Sequence, residues 1–149
     1  MLSVFTDEYF MKEALKEAQK AFEADEVPIG AVVVCEGRII ARAHNLSERL
    51  NDVTAHAEMQ AITAAANYLG SKFLDECTLF VTVEPCVMCA GALYWARMGR
   101  VVYGAADEKK GYSKVETNLL HPKTKVEPGL LQEPCSELMK SYFKSKRGF

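Results

Sequence analysis

The sequence predicts an α/β fold in which helices pack on a central, partly parallel β-sheet. Three observations carry this prediction: short β-branched runs alternate with helical stretches, the helical stretches are mostly amphipathic, and no repeat or low-complexity segment interrupts them. Strands that alternate with helices are typical of a sheet that helices cover. A length of 149 residues suits one domain, so residues 1–149 are expected to fold together.

The chain is predicted to begin with a helix and a β-hairpin. Apolar residues at helical spacing predict a helix over residues 7–24, and Thr6 can cap it. Apolar, β-branched runs over residues 30–34 and 38–43 flank the turn signal Glu36-Gly37. Two such runs around a short turn predict the two strands of a hairpin.

After a polar loop, helices and strands alternate. One apolar face at helical spacing predicts a helix over residues 56–69, and an apolar run predicts a strand over 78–83. A second helix–strand pair is predicted over residues 86–98 and 100–104. A glycine follows each of these two helices, as is common at helix ends.

The last third of the chain is less regular. Residues 106–133 mix charge, Gly and Pro with short apolar patches, which predicts loops with at most a short strand or helical turn. Apolar positions from Cys135 to Phe143 then predict an amphipathic C-terminal helix. Tyr94 and Trp95, on the predicted third helix, are expected to belong to the core, as aromatic side chains at helical positions usually do.

Charge is unevenly distributed along the chain. The net charge is −2, which by itself argues against a nucleic-acid-binding protein. Residues 1–26 hold seven acidic and three basic side chains, whereas residues 97–125 hold seven basic and three acidic ones. A local basic surface is therefore compatible with the overall charge, although a solvated surface of mixed sign is the simpler interpretation.

The cysteine content and the N-terminus indicate a cytoplasmic protein. The five cysteines are an odd number, and Cys35, Cys77 and Cys135 lie among apolar neighbours, where a free thiol behaves as a small hydrophobic group. No basic and apolar leader is recognisable, and no run approaches the roughly 20 apolar residues of a membrane span. A reducing compartment and no membrane association are expected.

Two short segments contain the clearest chemistry. His56 lies at the predicted start of one helix, and Cys86 and Cys89 lie at the start of the next. The i, i+3 spacing puts both sulfur atoms on one helix face, and the positive end of the helix favours thiolates. Zinc accepts imidazole and thiolate ligands in a tetrahedron, and a catalytic site keeps one position for water. These residues therefore predict a catalytic zinc site.

Glu58 is the predicted catalytic residue. It lies two residues beyond His56, so its carboxylate can lie near the water without binding the metal. Such a group can take a proton from the water, pass it to a ring nitrogen and protonate departing ammonia. The combination of H-x-E with P-C-x-x-C is the known signature of zinc-dependent nucleobase deaminases.

Three other interpretations remain open at this point. A closed structural zinc site would need a fourth protein ligand, such as His44, His121 or another cysteine, although surface or packing roles are expected for both histidines. A redox pair of Cys86 and Cys89 would leave His56 without a role. A zinc-stabilised RNA-binding module without catalysis would not need Glu58.

Over nearly its whole length the chain resembles the cytidine-deaminase-like superfamily, and within it the bacterial tRNA-specific adenosine deaminases. The matching segments are 26–32, 44–45, 52–58, 83–92 and 102–107, together with the pair Tyr142-Phe143 in the C-terminal helix. The resemblance implies a three-layer α/β/α fold with a central five-stranded mixed sheet. It also implies one Zn²⁺ per subunit and a homodimer in which both subunits shape the substrate groove.

The same resemblance implies the substrate, which is adenosine at the wobble position of a tRNA anticodon, converted to inosine. Asn45 matches the position that contacts the flipped nucleoside. The positions that match pocket walls are Val27, Ala57, Val83 and Pro85. The positions that match a loop contacting the anticodon are Asp107, Lys109 and Lys110. An anticodon loop is a plausible physical target because its bases are readily splayed out.

A free-base or nucleoside deaminase is the alternative substrate class. The segment 92–97 also resembles bacterial guanine deaminases, which share the metal-binding motifs, and the segment 120–129 differs from the usual form of the tRNA enzymes. The basic, amphipathic C-terminal helix favours the RNA enzyme, because guanine deaminases close their pocket over a free base with a C-terminal segment.

Overall fold

The computed structural model describes residues 5–147. Four α-helices are present in this part of the chain: α1 (Asp7–Glu23), α2 (Ala57–Leu69), α3 (Val87–Ala96) and α4 (Gln132–Lys146). Five strands accompany them: β1 (Gly30–Cys35), β2 (Arg38–His44), β3 (Cys77–Val83), β4 (Arg100–Ala105) and β5 (Lys125–Pro128). A single 3₁₀ turn covers Tyr112–Lys114. None of the helices in this part of the chain is long and apolar enough to cross a membrane.

The five strands form one mixed sheet in the order β2-β1-β3-β4-β5. β1 pairs antiparallel with both β2 and β3, whereas β3, β4 and β5 run parallel. Parallel neighbours need a crossover, and α3 supplies it between β3 and β4. The carboxyl ends of β3 and β4 therefore lie at the same edge of the sheet, which is the edge from which the segment carrying Cys86 departs.

Helices cover both faces of the sheet, so the predicted three-layer α/β/α fold is confirmed. α1 and α4 pack on one face, where Phe10, Met11 and Phe80 belong to one buried cluster. α2 and α3 pack on the other face, where Leu79 and Leu93 belong to the second cluster. The alternation of Leu79 and Phe80 between the clusters is the two-residue period of a strand with both faces buried.

The element predictions are confirmed with small shifts of boundaries, and the irregular region contains one further strand. β5 lies within residues 106–133, and its four residues are all exposed. No apolar alternation reveals such a strand in the sequence; β5 is held by parallel pairing with β4 and by the ion pair of Arg100 with Glu127. α3 ends two residues earlier than predicted because Arg97 adopts a left-handed conformation and caps it.

The expectation that Tyr94 and Trp95 belong to the core is wrong. Trp95 is 77% exposed and Tyr94 is 38% exposed. The inner face of α3 is formed instead by small and aliphatic residues, among them Cys89, Ala90 and Leu93. Because the aromatic positions follow Leu93 directly, the helical period turns them away from the sheet.

The basic stretch 97–125 does not form one surface. Arg100 and Lys125 lie side by side at the beginning of β4 and β5. Lys109 and Lys110 follow the end of β4, at the opposite edge of the sheet. Of these two pairs, only Lys109 and Lys110 can belong to a basic surface at the edge of the sheet where Cys86 lies.

Candidate metal centre and nucleotide groove

His56, Cys86 and Cys89 come together between the starts of α2 and α3. His56 and Cys86 are the N-cap residues of these helices, and neither side chain caps its own helix. Nδ1 of His56 lies 3.6 Å from Sγ of Cys86 and 3.4 Å from Sγ of Cys89. The three ligand atoms all lie within 4.8 Å of one another. The two helix starts thus present one imidazole and two sulfur atoms to a common point.

These distances fit a tetrahedral zinc ion. Zn–S bonds of about 2.3 Å and Zn–N bonds of about 2.0–2.1 Å at a tetrahedral angle separate sulfur from nitrogen by roughly 3.6 Å. The two Nδ1–Sγ distances, 3.6 and 3.4 Å, are close to this value. Soft thiolates with an imidazole also form a donor set that zinc prefers. The site could therefore hold a zinc ion without rearrangement of its ligands.

The two sulfur atoms influence each other's pKa. Hydrogen bonding with the neighbouring Cys89 thiol is the largest cause that lowers the pKa of Cys86, to about 5. The same hydrogen bond, together with burial, raises the pKa of Cys89. Binding of a metal ion would require both sulfur atoms to be thiolates, so it would release any thiol proton that remains there.

Glu58 lies against the metal-binding group but is not part of it. Burial raises the pKa of its carboxyl group to about 7, and the neighbouring Cys89 thiol opposes this shift in part. The residue is 3% exposed and is located in the first turn of α2. A carboxyl group whose pKa is close to neutral can both accept and release a proton, as general acid–base catalysis requires.

Within residues 5–147, no fourth His, Cys, Asp or Glu joins the three ligands. His44 contacts Glu17 on α1 instead, with 3.4 Å between Nδ1 and Oε1. His121 accepts a hydrogen bond from the backbone of Lys123. The expected surface or packing roles of both histidines agree with these contacts, and the described residues offer no closed structural site with four protein ligands.

A groove of about 670 Å³ lies beside the ends of β3 and β4. Five of the predicted substrate-binding residues line it: Val27, Val83, Asp107, Lys109 and Lys110. On the far side the groove is closed by α4, through Met139, Lys140 and Phe143. Apolar walls with cationic groups at the rim suit a nucleobase whose phosphates remain outside.

The other three predicted substrate-binding residues are buried and do not line this groove. Ala57 and Pro85 are buried and lie next to His56 and Cys86 in the chain. Asn45 follows the end of β2, and its side chain is held by two hydrogen bonds. Its Oδ1 accepts from the backbone N–H of Ser47 at 3.1 Å, and its Nδ2 donates to the carbonyl of Val27 at 3.5 Å. Asn45 is thus connected to the groove through Val27.

Two buried glutamates near the proposed site, Glu26 and Glu84, were assigned no role from the sequence. Glu26 accepts from the backbone N–H groups of Glu48 and Arg49, at 2.9 and 2.7 Å. Glu84 accepts from the backbone of Asp107 and from Ser113. Each carboxylate holds a loop that begins near the proposed site. The sequence signal for both was a charged residue directly beside an apolar run, at Glu84 after β3 and at Glu26 before β1.

Comparison with known proteins agrees with this geometry. The family model of the MafB19-like deaminases matches residues 5–147. The tRNA-specific adenosine deaminase of Bacillus subtilis is 49% identical over 146 residues, which cover 95% of this chain and 91% of that protein. The tRNA-specific adenosine deaminase of Aquifex aeolicus is 46% identical over 145 residues, which cover 94% of this chain and 95% of that protein.

Solved structures of deaminases have the same fold as this chain. A structure from a study of A-to-I editing by tRNA:A34 deaminases superimposes with a TM-score of 0.82 at 46% identity, covering 87% of this chain and 97% of that one. The guanine deaminase of Bacillus subtilis superimposes with a TM-score of 0.67 at 33% identity, covering 97% and 96%. The chain therefore has the cytidine-deaminase-like fold and belongs to the family of tRNA-specific adenosine deaminases.

Proposed function

We propose that this protein is a zinc-dependent enzyme that converts adenosine to inosine at the wobble position of a tRNA anticodon. The observation that carries the proposal is the convergence of His56, Cys86 and Cys89 with the Glu58 carboxyl group beside them. The similarity to tRNA-specific adenosine deaminases supports the choice of substrate. Cysteine ligands must stay reduced, which fits a cytoplasmic location.

His56, Cys86 and Cys89 would hold one zinc ion per chain. When bound, the ion supplies a water molecule of lowered pKa and a positive charge near the reacting carbon. The three side chains would hold the ion from the starts of α2 and α3, and these helices exclude solvent from Cys89, which is fully buried. The role of the proposed ligands is therefore to hold the ion at a fixed place beside Glu58.

Glu58 moves the protons of the reaction. Its carboxylate takes a proton from the attacking water and delivers it to N1 of the purine while the water oxygen bonds to C6. It then removes the proton of the new C6 hydroxyl group and transfers it to the C6 amino group, the C6–N6 bond breaks, and ammonia leaves. The product carries a carbonyl at C6, as inosine does. Burial keeps the Glu58 carboxyl group close to neutral pKa, so both directions of transfer are accessible.

The groove at the ends of β3 and β4, which none of the metal-binding residues lines, would receive the nucleotides that flank the reacting one. Val27 and Val83 provide apolar walls, and Phe143 offers an exposed ring on which a base can stack. Lys109 and Lys110, which form no ion pair with any described residue, can face phosphates. Asn45 would contact the nucleoside from the β2 side.

A free-base deaminase is the second candidate, because the chain is also 33% identical to a guanine deaminase. Two observations favour RNA over free guanine. The identity to the tRNA enzymes is higher, and the groove is open and carries basic side chains from both the loop at Lys109 and the helix at Lys140. A free neutral base carries no phosphate group with which these cations could form ion pairs.

We also propose that the protein forms a homodimer through α3. This helix contains no charged residue, and its outer side exposes Val87, Tyr94 and Trp95. A Cβ atom added at Gly91 would meet no other atom within 4 Å, so the outer face is open. Helices that are apolar on all sides are normally buried, and a second copy of the same face is the simplest cover.

The deciding experiment compares two substrates with the purified, zinc-loaded protein. An anticodon stem-loop with adenosine at the wobble position should release ammonia and contain inosine afterwards, whereas guanine should not react. Conversion of guanine without conversion of RNA would overturn the proposed substrate. Binding of the stem-loop without ammonia release would favour an RNA-binding module instead.

A further inference from the structure

Glu84 is a buried carboxylate that the proposed reaction does not use. It is 4% exposed and precedes Pro85 and Cys86 directly. No Lys, Arg or His among the described residues forms an ion pair with it. A buried charge without a cation must be stabilised by hydrogen-bond donors, so the identity of its donors indicates its role.

All three donors belong to the two ends of one loop, residues 107–113, called the rim loop below. Oε1 of Glu84 accepts from the backbone N–H of Asp107 at 3.0 Å. Oε2 accepts from the backbone N–H of Ser113 at 3.0 Å and from its hydroxyl at 2.6 Å. One side chain therefore ties both ends of the rim loop to the segment that leads into Cys86.

Further contacts hold the rim loop against the segment that contains Pro85 and Cys86. The backbone N–H of Tyr112 donates to the carbonyl of Pro85 at 2.9 Å, and Gly111 forms an isolated β-bridge with Cys86. A Cβ atom at Gly111 would collide with the Glu84 carboxyl group. The absence of a side chain at Gly111 is therefore what lets the loop close over the carboxylate.

The hydrogen bonds that begin at Glu84 continue to the two lysines of the rim loop. Oδ1 of Asp107 accepts from the backbone N–H groups of Lys109 and Lys110, at 3.0 and 2.9 Å. Asp107 is in turn held through its own N–H by Glu84. A continuous chain of hydrogen bonds therefore leads from Glu84 to the backbone of both lysines.

We propose that Glu84 is a positioning residue that holds the rim loop, and with it Lys109 and Lys110, in the arrangement that binds the phosphates of the substrate RNA. This inference rests on the proposed function for the identity of the ligand. Glu84 does not exchange protons with the substrate, because its oxygens are occupied by three donors of the rim loop. Its effect is on RNA binding, whereas Glu58 acts on the chemical step.

A carboxylate is required here because every partner is a donor. In a glutamine at this position, the amide nitrogen would face either the N–H of Asp107 or the N–H of Ser113. Whichever way the amide turned, one backbone hydrogen bond would be broken, and a buried N–H would be left unpaired. Glu84→Gln keeps the size of the side chain, so it tests the anchor with little change of packing.

The experiment compares zinc-loaded Glu84→Gln with the wild type on the anticodon stem-loop. The KM should rise by about tenfold, since hydrogen bonds to a charged group are removed, while kcat and zinc stoichiometry change little. RNA affinity should also depend less steeply on salt concentration, because the lysines no longer meet the phosphates. In the free protein, the amides of the rim loop should exchange hydrogen faster.

Ser113→Ala is the matched variant, because it removes only the hydroxyl bond and should raise KM less. Gly111→Ala disturbs the same contact from the loop side and serves if Glu84→Gln does not fold. An unchanged KM with unchanged amide exchange in Glu84→Gln would overturn the inference. So would a fall of kcat or loss of zinc at unchanged KM, since Glu84 would then act on the metal segment.

Failure of the proposed function has a different signature. If the wild type binds the stem-loop but forms no inosine, the proposed reaction is wrong, and RNA affinity replaces KM as the test of Glu84. If the wild type does not bind the stem-loop at all, both the proposed substrate and the proposed role of Glu84 in RNA binding fail, whatever the amide exchange shows.

Discussion

Nδ1 of His56 lies 3.4 Å from Sγ of Cys89, although 33 residues separate the two in the chain. The contact joins the first residues of α2 to the first turn of α3. Each helix start is rigid, because the strand before α3 and the packing of α2 on β1 and β2 hold it. The folding of the two helices against the sheet therefore places the three proposed ligands together.

Loss of one proposed ligand should abolish zinc binding and activity together. Cys89→Ser replaces a soft thiolate by a hydroxyl, which zinc accepts poorly. The variant should contain far less than one zinc ion per chain by elemental analysis and should melt at a lower temperature, because metal binding is coupled to folding. Cys35→Ser, at a thiol outside the site, is the control and should keep its zinc. Full zinc content in Cys89→Ser would show that the ligand set is wrong.

Removal of the metal should be reversible. Dialysis of the wild type against a chelator is expected to eliminate inosine formation, and stoichiometric Zn²⁺ should restore it, because the ligands already lie at tetrahedral spacing. The measurement is ammonia release before and after zinc is added back. Undiminished activity in the zinc-free protein would contradict a metal-dependent mechanism.

Glu58→Gln should lower kcat while zinc content and RNA binding are retained. The amide has nearly the same shape but cannot shuttle protons, so kcat is expected to fall by about 10²- to 10⁴-fold. Zinc content and stem-loop affinity should stay close to wild type, because Glu58 is not among the three ligand residues. Single-turnover deamination and elemental analysis measure the two quantities. A variant that deaminates at the wild-type rate would remove Glu58 from the mechanism.

Charge reversal at Lys109 and Lys110 should weaken RNA binding more than charge reversal at Lys123 and Lys125. Lys109→Glu combined with Lys110→Glu places negative charge on the groove, and stem-loop affinity should fall. The slope of log affinity against log salt should also decrease, by roughly one for each phosphate that a lysine no longer neutralises. Lys123→Glu with Lys125→Glu makes the same charge change at the opposite end of the sheet and should have little effect. Equal reductions of affinity in both double variants would indicate a general charge effect only.

Trp95→Glu should weaken the proposed dimer. A charge at this exposed position would be buried without a partner in a second copy, and loss of a central aromatic residue commonly costs about 2 kcal/mol or more. The dissociation constant should therefore rise by roughly thirtyfold or more, as sedimentation equilibrium would measure. Val126→Glu, at an exposed apolar position on β5, is the control. A wild-type protein that sediments as a monomer would rule out the homodimer.

The helices, four of the strands and the zinc-binding pattern could be predicted because each depends on local spacing. The period of apolar residues along α1 and α4 is visible in any short window, and so is the spacing of Cys86 and Cys89. His56 was expected to lie beside these cysteines because imidazole and thiolate are both zinc ligands and one zinc ion needs several of them. Glu58 followed from its distance to His56 in the chain.

By itself, the sequence determined the order of the elements, the donor set for a metal and the likeness to a deaminase family. Only the tertiary structure decided that Trp95 faces outward, that the fifth strand is Lys125–Pro128 and that Lys109 lies apart from Lys125. It also decided that Glu84 ties down the rim loop. Each of these outcomes depends on strand register and on which faces pack together, and such contacts join residues far apart in the chain, where no local pattern records them.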